Sequence, residues 1–386
     1  MTDRIDPSVL ERYPVKEKIG QGAYGIVYSA TDRFTGETVC LKKAFDCYRN
    51  ALDSQRMYRE VMALDALRGH ENIVELLHIV APSDDARDLY LVFDLMETDL
   101  YAVIRSRILE PSHHCCIIYQ VLKALHYIHS AGIIHRDIKP SNILINTDCT
   151  IKICDFGLCR TVVDANDAMR NGYQLSDYVA TRWYRAPEVL LGSRRYSQKI
   201  DVWAVGCLLG EMIRRKPLFK GSCTMSQVEC ILELTGIPST DDISATKAPC
   251  AESMIEQTSV HEKKHLADLC EDASAEALDL LSGCLKFNPN SRPSAGCLLD
   301  HGMVTAFLSP GKEPVYPHGP IEFATSDSLR LCPEDYQCKL NTHIEARRHA
   351  ILEKENIRLR SRGSLATVMA SPSKEYRRVV APPRPT

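Results

Sequence analysis

The apolar residues of this chain recur with two different periods, and this change of period limits the folds that it can adopt. Residues 13–45 alternate apolar and polar positions, and "DRFTG" interrupts them with a turn signal. Residues 52–68 carry apolar side chains at helical spacing, and helical patterns dominate from about residue 99, after the strand-like "DLYLVFDL". We therefore predict an α+β fold with a small β-rich lobe followed by a larger helical lobe.

Composition excludes several classes of protein. Apolar residues make up 45% and charged residues 25% of the chain, which is typical of a globular protein. Apolar runs such as "VWAVGCLLG" are much shorter than the ~20 residues of a membrane span, and "MTDRIDPSVL" is not a signal peptide. The 16 cysteines are scattered without a CxxC pair, so we expect reduced thiols in an intracellular compartment. The net charge of −3 predicts no nucleic-acid partner.

The end of the chain differs from the rest. Residues 333–360 have the pattern of one long charged helix, with Pro333, Glu334 and Asp335 in its first turn. The final "ASPSKEYRRVVAPPRPT" is rich in proline, serine and arginine, which predicts disorder. Its "PPRP" segment either docks an SH3-like groove as a polyproline II helix or is a solvated end.

Two early motifs suggest a phosphate site. "GQGAYG" places Gly20, Gly22 and Gly25 in a G-x-G-x-x-G pattern between two strands, which suits a flap over phosphates better than a Rossmann turn; the alternative is a glycine-rich hairpin. "VCLK" ends at Lys42 and is followed by Lys43, of which only one can face inward. We assign that position to Lys42 because the next helix supplies a candidate partner, Glu60.

A third group of polar residues lies in the middle of the chain. "HRDIKPSN" carries Asp137, Lys139 and Asn142, and Asp155 follows in "DFG". These residues could form only a capped turn. Phosphoryl transfer, however, requires an acceptor for the substrate hydroxyl proton, a cation for the γ-phosphate and oxygen ligands for Mg²⁺. The motif supplies all three.

These motifs and the later "APE" occur in the order found in protein kinases, which residues 13–300 resemble. "YVATRWYRAPE" is similar to the mitogen-activated branch. The long segment before Ser176, with "LKKAFDCYRN" and "GEMIRRKPLFKG", resembles the atypical extracellular-signal-regulated branch, of the seven/eight or fifteen type. The resemblance implies an N-terminal extension (1–12), a kinase domain (13–304, with lobes 13–95 and 96–304), a C-terminal extension packing on it (305–340) and a basic, then disordered, tail (341–386).

The resemblance also implies a role for individual residues. The expected contacts to ATP are Ile19, Gly20, Gln21, Gly22, Ala23, Tyr24, Gly25, Ile26, Val27, Lys42, Glu60, Asp94, Met96 and Leu144. Asp137 accepts the substrate proton, Lys139 steadies the γ-phosphate, and Asn142 and Asp155 hold Mg²⁺. Phe93 is a bulky gatekeeper beside the hinge.

Two further expectations concern the support of the large lobe. Asp201 in "DVWAVG" anchors the catalytic loop, and Arg292 in "SRPSA" pairs with Glu188. Relatives also carry an acidic docking cluster after this lobe, but here Glu313 stands beside Lys312, which predicts weak docking of basic peptides.

The activation segment carries a modified switch. Ser176-Asp177-Tyr178 stands where most relatives have Thr-x-Tyr, so we predict phosphorylation of Ser176 and Tyr178, by the enzyme itself. The expected receivers are Arg56, Arg59, Arg136 and Arg160 for phosphoserine, and Arg182 and Arg185 for phosphotyrosine. "TRWYR" in this branch shapes a pocket for proline after the phosphate acceptor, which predicts Ser-Pro and Thr-Pro substrates.

One cysteine belongs to the site as well. Cys154 directly precedes the "DFG" aspartate, so it either lines the back of the nucleotide site, open to an electrophile, or is a buried thiol that meets no ligand.

Together these features predict a proline-directed serine/threonine kinase that uses ATP and Mg²⁺ and acts on proteins as a monomer. The alternative is an ATP-binding scaffold that works through its tail. We expect it in the cytoplasm or nucleus; association with the cilium or basal body is implied by resemblance only.

Overall fold

The computed structural model describes residues 4–22, 25–83, 86–162, 182–195, 197–259, 263–308, 313–323, 325 and 331–350. Its contacts divide the chain into two units, Met1–Tyr336 and Gln337–Thr386. In the second unit, residues 337–350 are helical. The fold and the site described below belong to the first unit.

A five-stranded antiparallel sheet forms the first lobe, with the strand order β1-β2-β3-β5-β4. The strands are β1 (Val15–Gly22), β2 (Gly25–Thr31), β3 (Thr38–Ala44), β4 (Leu76–Val80) and β5 (Leu89–Asp94). The "DRFTG" turn joins β2 to β3, where Asp32 N–H donates to Glu37 O at 2.9 Å and Gly36 adopts a φ of +77°. Local turn chemistry therefore fixes the register of the sheet.

One helix packs near each face of this sheet. Helix α2 (Ala51–Ala66) carries Glu60 and begins at Asn50, whose side chain accepts hydrogen bonds from two backbone N–H groups of the first turn. Helix α1 (Pro7–Arg12) contributes to a cluster on the opposite side. That cluster consists of Ile5, Val9, Tyr13, Ile26, Tyr28, Ala30, Val39, Leu41, Tyr90 and Val92. The N-terminal extension thus completes a hydrophobic core.

The second lobe is mainly helical. Its helices are α3 (Leu100–Ser106), α4 (Pro111–Ser130), α5 (Pro187–Leu190), α6 (Lys199–Arg214), α7 (Thr224–Thr235), α8 (Thr240–Thr246), α9 (Ala251–Glu256), α10 (Leu266–Leu269), α11 (Ala275–Cys284) and α12 (Ala295–Leu299). Short strands β6 (Thr98–Asp99), β8 (Ile143–Ile145) and β9 (Ile151–Ile153) form one sheet, and β7 (Ile133–Ile134) pairs with β10 (Arg160–Thr161). The predicted α+β fold with a β-rich lobe and a helical lobe is confirmed.

Two long helices form the centre of the second lobe. Helix α4 starts with Pro111 at its first position, and the chain leaves it through Gly132 with a φ of +72°. Helix α6 is buried along most of its length, and the Trp203 ring stacks on Phe219 with centroids 5.7 Å apart. Among the described residues, no helix is both long enough and apolar enough to cross a membrane.

The stretch after residue 304 packs back on this lobe and then reaches α2. Tyr316 N–H donates to the Ser130 hydroxyl, and Ile321 N–H donates to Ala131 O, each at 2.8 Å. Further on, the Tyr336 ring lies 5.7 Å from that of Tyr58 on α2. The helix that carries Glu60 is therefore contacted by residues from the end of the first unit.

Candidate active site

A partly buried ion pair joins the sheet to helix α2. The Lys42 ammonium lies 2.5 Å from the Glu60 carboxylate, although 18 residues separate them. Burial alone would lower the pKa of Lys42, but the Glu60 and Asp155 carboxylates raise it above its usual value. Lys42 therefore stays a cation inside the site.

The neighbouring lysine points to the other face of β3. Lys43 is also buried, where its ammonium donates to Arg4 O at 2.6 Å and pairs with Asp88 at 2.9 Å. Because successive strand residues point to opposite faces, Lys42 and Lys43 are separated as expected. Lys43 contacts the N-terminal segment around Arg4 rather than solvent.

The glycine-rich motif forms the tight end of the β1–β2 pair, where Gly22 lies opposite Gly25. A Cβ at Gly25 would lie 2.1 Å from Lys43 O, so only glycine allows this approach of β2 to β3. Among the residues that the structure describes, a Cβ at Gly22 would meet no atom within 4 Å. The backbone is therefore bare at Gly22, as a flap over phosphates requires, while Gly25 is needed for packing.

Some expected nucleotide contacts do not reach this place with their side chains. Ile26 is fully buried in the cluster on the opposite face of the sheet, because successive strand residues point to opposite faces. Gln21 accepts a hydrogen bond from Lys18 at 2.7 Å, and Ile19 is largely exposed on β1. Ala23 and Tyr24 lie outside the described residues.

The catalytic-loop residues form a compact polar network. The Asp137 carboxylate accepts hydrogen bonds from the Lys139 ammonium at 2.7 Å and from the Asn142 amide at 2.9 Å. The same amide group also donates to Asp137 O at 2.8 Å. Asp137 is therefore held in one orientation, and the amide oxygen of Asn142 is left for another ligand.

Asp201 fixes the backbone of the catalytic loop. Its carboxylate accepts from the N–H groups of His135 at 2.9 Å and Arg136 at 2.8 Å, and it contacts His129 Nε2 at 2.9 Å. Arg136 has a φ of +71°, an unusual value for a residue with a side chain, and the two hydrogen bonds stabilise it. The anchoring position predicted for Asp201 is present, but His129 had no signal in the sequence.

Asp155 brings the DFG motif to the same place. It adopts a φ of +65°, in the left-handed region, and its carboxylate is close enough to Lys42 to raise the pKa of that lysine. In the described part of the chain, no group donates a hydrogen bond to this carboxylate. A strained aspartate with unused oxygens suits the binding of a cation.

Several of these groups line one cavity of about 340 Å³. The residues of the predicted motifs that line it include Gly22, Gly25, Val27, Lys42, Glu60, Asp137, Lys139, Asp155 and Gly157, together with Arg56 from α2. The structure therefore brings five sequence-distant motifs to one cavity. Its size falls within the range of small-molecule sites in proteins.

The predicted hinge lies at the end of β5. Phe93 and Met96 are buried, Leu144 is half-buried on β8, and the Asp94 carboxylate lies 3.6 Å from Lys152 Nζ. Cys40, on β3, lies opposite Phe93 in the register of the sheet. Backbone groups of residues 94–96 thus connect the two lobes at the end of β5, which is an inner strand of the sheet.

The polar groups fit a nucleotide phosphate and Mg²⁺. Mg²⁺ prefers oxygen ligands and is often held by one or two carboxylates together with substrate phosphates. The amide oxygen of Asn142 and the carboxylate of Asp155 provide such oxygens, and the bare backbone at Gly22 and the Lys42 ammonium suit phosphate oxygens.

Three of the predicted phosphate receivers converge near Cys159. Arg59, Arg160 and Arg136 all act electrostatically on this buried thiol, whose pKa burial raises to about 12. Arg56 instead lines the cavity, and Arg182 Nη1 donates to Ser222 O at 3.1 Å. Ser176 and Tyr178 lie outside the described residues.

The predicted support of the second lobe is a buried bidentate ion pair. Arg292 Nη1 and Nη2 each lie 2.7 Å from a carboxylate oxygen of Glu188, and both side chains are almost fully buried. The guanidinium also donates to Lys286 O, Phe287 O and Lys199 O. Arg185, in the segment before Glu188, is half-buried.

Glu313 has a different environment from the one that its sequence position indicated. Its carboxylate is buried, accepts from the Tyr119 hydroxyl at 2.6 Å and pairs with Lys123 at 3.0 Å. A carboxylate with two internal partners is not presented to a docking peptide. Lys312 lies outside the described residues.

Cys154 lies near the ion pair of Lys42 and Glu60. Burial raises the pKa of its thiol well above the usual value, and Lys42 lowers it to a smaller extent. The thiol is half-buried, so its accessibility to an electrophile stays a prediction.

Comparison with known proteins agrees with this geometry. A family model described as "Protein kinase domain" matches residues 13–304. An ion pair between a strand lysine and a helix glutamate, beside a loop that carries one aspartate, the DFG aspartate and a glycine flap, is typical of the active site of that class of phosphotransferase.

The similar proteins show which branch of the protein kinases this chain belongs to. Extracellular signal-regulated kinase 2 of Dictyostelium discoideum is 47% identical over 89% of this chain and 92% of its own length. Mitogen-activated protein kinase 15 of Xenopus laevis is 43% identical over 95% of this chain and 61% of its own length, and that of Caenorhabditis elegans is 37% identical over 94% and 77%. The chain belongs to the protein kinase family, and within it to the mitogen-activated protein kinases. It spans 61% of the length of the Xenopus relative and 56% of the mitogen-activated protein kinase 15 of Rattus norvegicus and of Mus musculus.

Proposed function

We propose that this chain is a proline-directed serine/threonine protein kinase of the mitogen-activated type. The observation that carries the proposal is the meeting of Lys42, Glu60, Asp137, Lys139 and Asp155 at one cavity. Family membership supports the reaction, and the names of the relatives support the type. The scaffold alternative has no support in the described residues.

In this proposal Asp137 accepts the proton of the substrate hydroxyl. Its carboxylate is buried, and hydrogen bonds from Lys139 and Asn142 hold it in one orientation. A positioned base contributes roughly 10²–10⁴-fold to a rate, because no reorganisation is needed when the proton leaves. Lys139, on the same carboxylate, places a positive charge where the phosphoryl group is transferred.

Lys42 and Glu60 orient the nucleotide. The ammonium binds phosphate oxygens, and Glu60 fixes its position through the ion pair. When bound, Mg²⁺ would offset the negative charge of the phosphates of ATP, and Asn142 and Asp155 are the residues that would hold it. The backbone at Gly22 covers the phosphates without a side chain in the way.

The acceptor preference and the switch belong to the same proposal. The segment Arg182–Tyr184 forms the pocket for proline after the phosphate acceptor, and Ser176 and Tyr178 are the phosphorylation sites that order the segment before it. The receivers of phosphoserine are Arg59, Arg136 and Arg160. Protein substrates with Ser-Pro and Thr-Pro sites follow from this assignment.

The test is transfer of labelled γ-phosphate from ATP to two peptides by the purified chain. The peptides differ only in having proline or alanine after the serine. We expect transfer with Mg²⁺, faster to the proline peptide, and a loss of ~10²–10⁴-fold in Asp137→Ala.

Asp241→Ala is the matched control, because this aspartate is exposed on α8, outside the cavity. It should retain wild-type transfer. Equal activity of Asp137→Ala and wild type would exclude the proposed base, and equal use of both peptides would exclude the proline preference.

A further inference from the structure

Four hydrogen bonds connect the segment before Ala-Pro-Glu, the chain between α6 and α7, and Gln227 on α7. Arg182 Nη1 donates to Ser222 O at 3.1 Å, and Trp183 Nε1 donates to Gly221 O at 3.2 Å. The other two are made by one side chain, Gln227. Its Nε2 donates to Trp183 O at 3.3 Å, and its Oε1 accepts from Gly221 N–H at 2.8 Å.

This attachment matters because the segment has little burial of its own. Arg182, Trp183 and Tyr184 are each only half-buried, so hydrogen bonds contribute to the position of the segment. Besides the four above, the Tyr184 hydroxyl donates to Glu211 Oε2 on α6 at 2.6 Å. Gln227, in contrast, has 0% exposure. A buried amide that donates to one segment and accepts from another fixes the distance between the two segments.

The approach of the two segments is also sterically specific. A Cβ at Gly221 would lie 2.3 Å from the backbone nitrogen of Gln227, so the chain at Gly221 can contact α7 only without a side chain. Lys220 lies over the Trp183 ring, 5.5 Å from its centroid. The amide of Gln227 is therefore at the centre of a close junction between α7 and the segment.

We propose that Gln227 is a positioning residue for substrate selection: through its amide it fixes the Arg182–Tyr184 segment and thereby the preference for proline after the phosphate acceptor. The inference rests on the proposed proline-directed activity. Gln227 itself does not touch the reacting atoms. It lies outside every motif by which the sequence predicted the site.

Two substitutions separate the hydrogen bonds from the volume of the side chain. Gln227→Met keeps the length of the side chain but removes both hydrogen bonds. Gln227→Glu keeps the shape and the acceptor for Gly221 N–H, but it places an oxygen instead of a donor against Trp183 O.

The chain offers a matched control in Gln120. Its amide also joins two segments, donating to Cys149 O at 2.8 Å and accepting from Asn72 Nδ2 at 2.9 Å. It is on α4 and does not line the cavity. Gln120→Met therefore reports what the loss of a bridging amide does to the fold alone.

The experiment measures kcat/KM for the proline and alanine peptides, the KM for ATP, and the melting temperature of each variant. We expect Gln227→Met and Gln227→Glu to lower the proline-to-alanine ratio by ~10-fold, because displacement of a substrate-positioning segment changes the rate for the correctly placed substrate most. The KM for ATP should stay at the wild-type value. Gln120→Met should retain the wild-type ratio.

The inference is overturned if the Gln227 variants keep the wild-type ratio, or if Gln120→Met loses it equally. Should Gln227→Met show no melting transition, the comparison is made with Gln227→Glu, and Gln227→Asn shortens the side chain as a third variant. A wild type without any preference would instead overturn the proposed proline-directed activity itself, which distinguishes the two failures.

Discussion

The ammonium of Lys43 donates a 2.6 Å hydrogen bond to the backbone carbonyl of Arg4, which lies 39 positions earlier in the chain. The Lys43 side chain is only 3% exposed and also pairs with Asp88. Its neighbour Lys42 faces the cavity on the other side of the same strand. The N-terminal segment therefore covers the outer face of the sheet directly behind the strand that carries the site.

This cover predicts a stabilising role for α1, although the segment precedes the region matched by the kinase model. Val9 is 1% exposed within the hydrophobic cluster, whereas its neighbour Leu10 is 36% exposed. We expect Val9→Ala to lower the free energy of unfolding by about 1–3 kcal/mol, because a cavity replaces two methyl groups. Leu10→Ala should stay within about 0.5 kcal/mol of wild type. Denaturant unfolding measures both, and equal losses would contradict the packing of α1.

The part of the molecule that the sequence predicted is the part encoded by local patterns. Asp137, Lys139 and Asn142 lie within six residues, so their proximity follows from one loop. Long-range contacts could not be read from local patterns: the pairing of Arg292 with Glu188 was expected only from the resemblance, and the buried hydrogen bond between Tyr119 and Glu313, 194 positions apart, was not expected at all. Glu313 stands beside Lys312, and two adjacent charged residues are typical of a protein surface. Glu313 is buried only because helix α4, which is distant in sequence, packs against it.

The two-residue period of a strand explains a second difference between the predicted site and the observed one. It separated Lys42 from Lys43 correctly, and the same alternation places the Ile26 side chain on the outer face of the sheet, away from the cavity. The resemblance transferred Ile26 as part of a continuous motif, although a pleated strand presents only every second side chain to a ligand. Gln227 carried no sequence signal because a buried glutamine resembles a surface one.

The Lys42 prediction follows from the geometry of its ion pair. Lys42→Arg keeps the charge but replaces a compact ammonium, 2.5 Å from the Glu60 carboxylate, with a larger planar group. We expect transfer to fall by roughly 10²-fold, since misplaced phosphates lose their alignment with the acceptor. Lys16→Arg, on β1, is the control. Steady-state transfer rates and thermal melts are compared, and a fully active Lys42→Arg with unchanged melting would remove this lysine from its role.

A pH-dependent contribution to stability comes from His70. Burial lowers the pKa of His70 to about 4, with a smaller increase from Glu71 and a smaller decrease from Lys123. Its Nδ1 accepts a hydrogen bond from Asn72 N–H at 3.1 Å, which requires this nitrogen to be unprotonated. The unfolded chain binds a proton at this residue at higher pH than the folded chain does.

The stabilising effect of His70 is therefore complete above pH ~6.5 and is lost as the pH falls from there toward 4, by a total on the order of 3 kcal/mol. His70→Gln should show a flatter dependence of unfolding free energy on pH in this window. The exposed His265→Gln is the control and should keep the wild-type slope. An unchanged slope in His70→Gln would show that another group accounts for the acid sensitivity.

Two cysteines are expected to differ sharply in reactivity. Cys223 is exposed before α7, and hydrogen bonds from the Ser226 side chain and backbone lower the pKa of its thiol. Burial raises the pKa of Cys154. Because the thiolate is the nucleophile, iodoacetamide at neutral pH should label Cys223 at least ~10-fold faster than Cys154.

Mass spectrometry of peptides over a time course gives both rates. Ser226→Ala should slow the labelling of Cys223 alone. Fast labelling of Cys154 that ATP blocks would instead show an accessible thiol at the back of the nucleotide site, while equal rates with and without ATP would place it away from the ligand.

The arrangement of arginines around Cys159 bears on the activation switch. Arg59 on α2, Arg136 in the catalytic loop and Arg160 on β10 act on one thiol, so three elements bring positive charge to one place. A phosphate adds about −1.5 to −2 charges and three acceptor oxygens. Phosphoserine 176 at this place would join the catalytic loop to the helix that holds Glu60, which keeps Glu60 next to Lys42.

We therefore expect that the chain made in bacteria carries phosphate on Tyr178 and Ser176, and that Asp137→Ala made in the same way carries none. Phosphatase treatment of the wild type should lower transfer by roughly 10²-fold, and incubation with ATP and Mg²⁺ should restore it. Arg160→Gln should be phosphorylated yet fail to gain activity, since the receiver has lost its charge, whereas the exposed Arg33→Gln should behave as wild type. Loop phosphorylation is mapped by mass spectrometry and set against transfer to the proline peptide. An unphosphorylated wild type with full activity would contradict both the switch and the role of the three arginines.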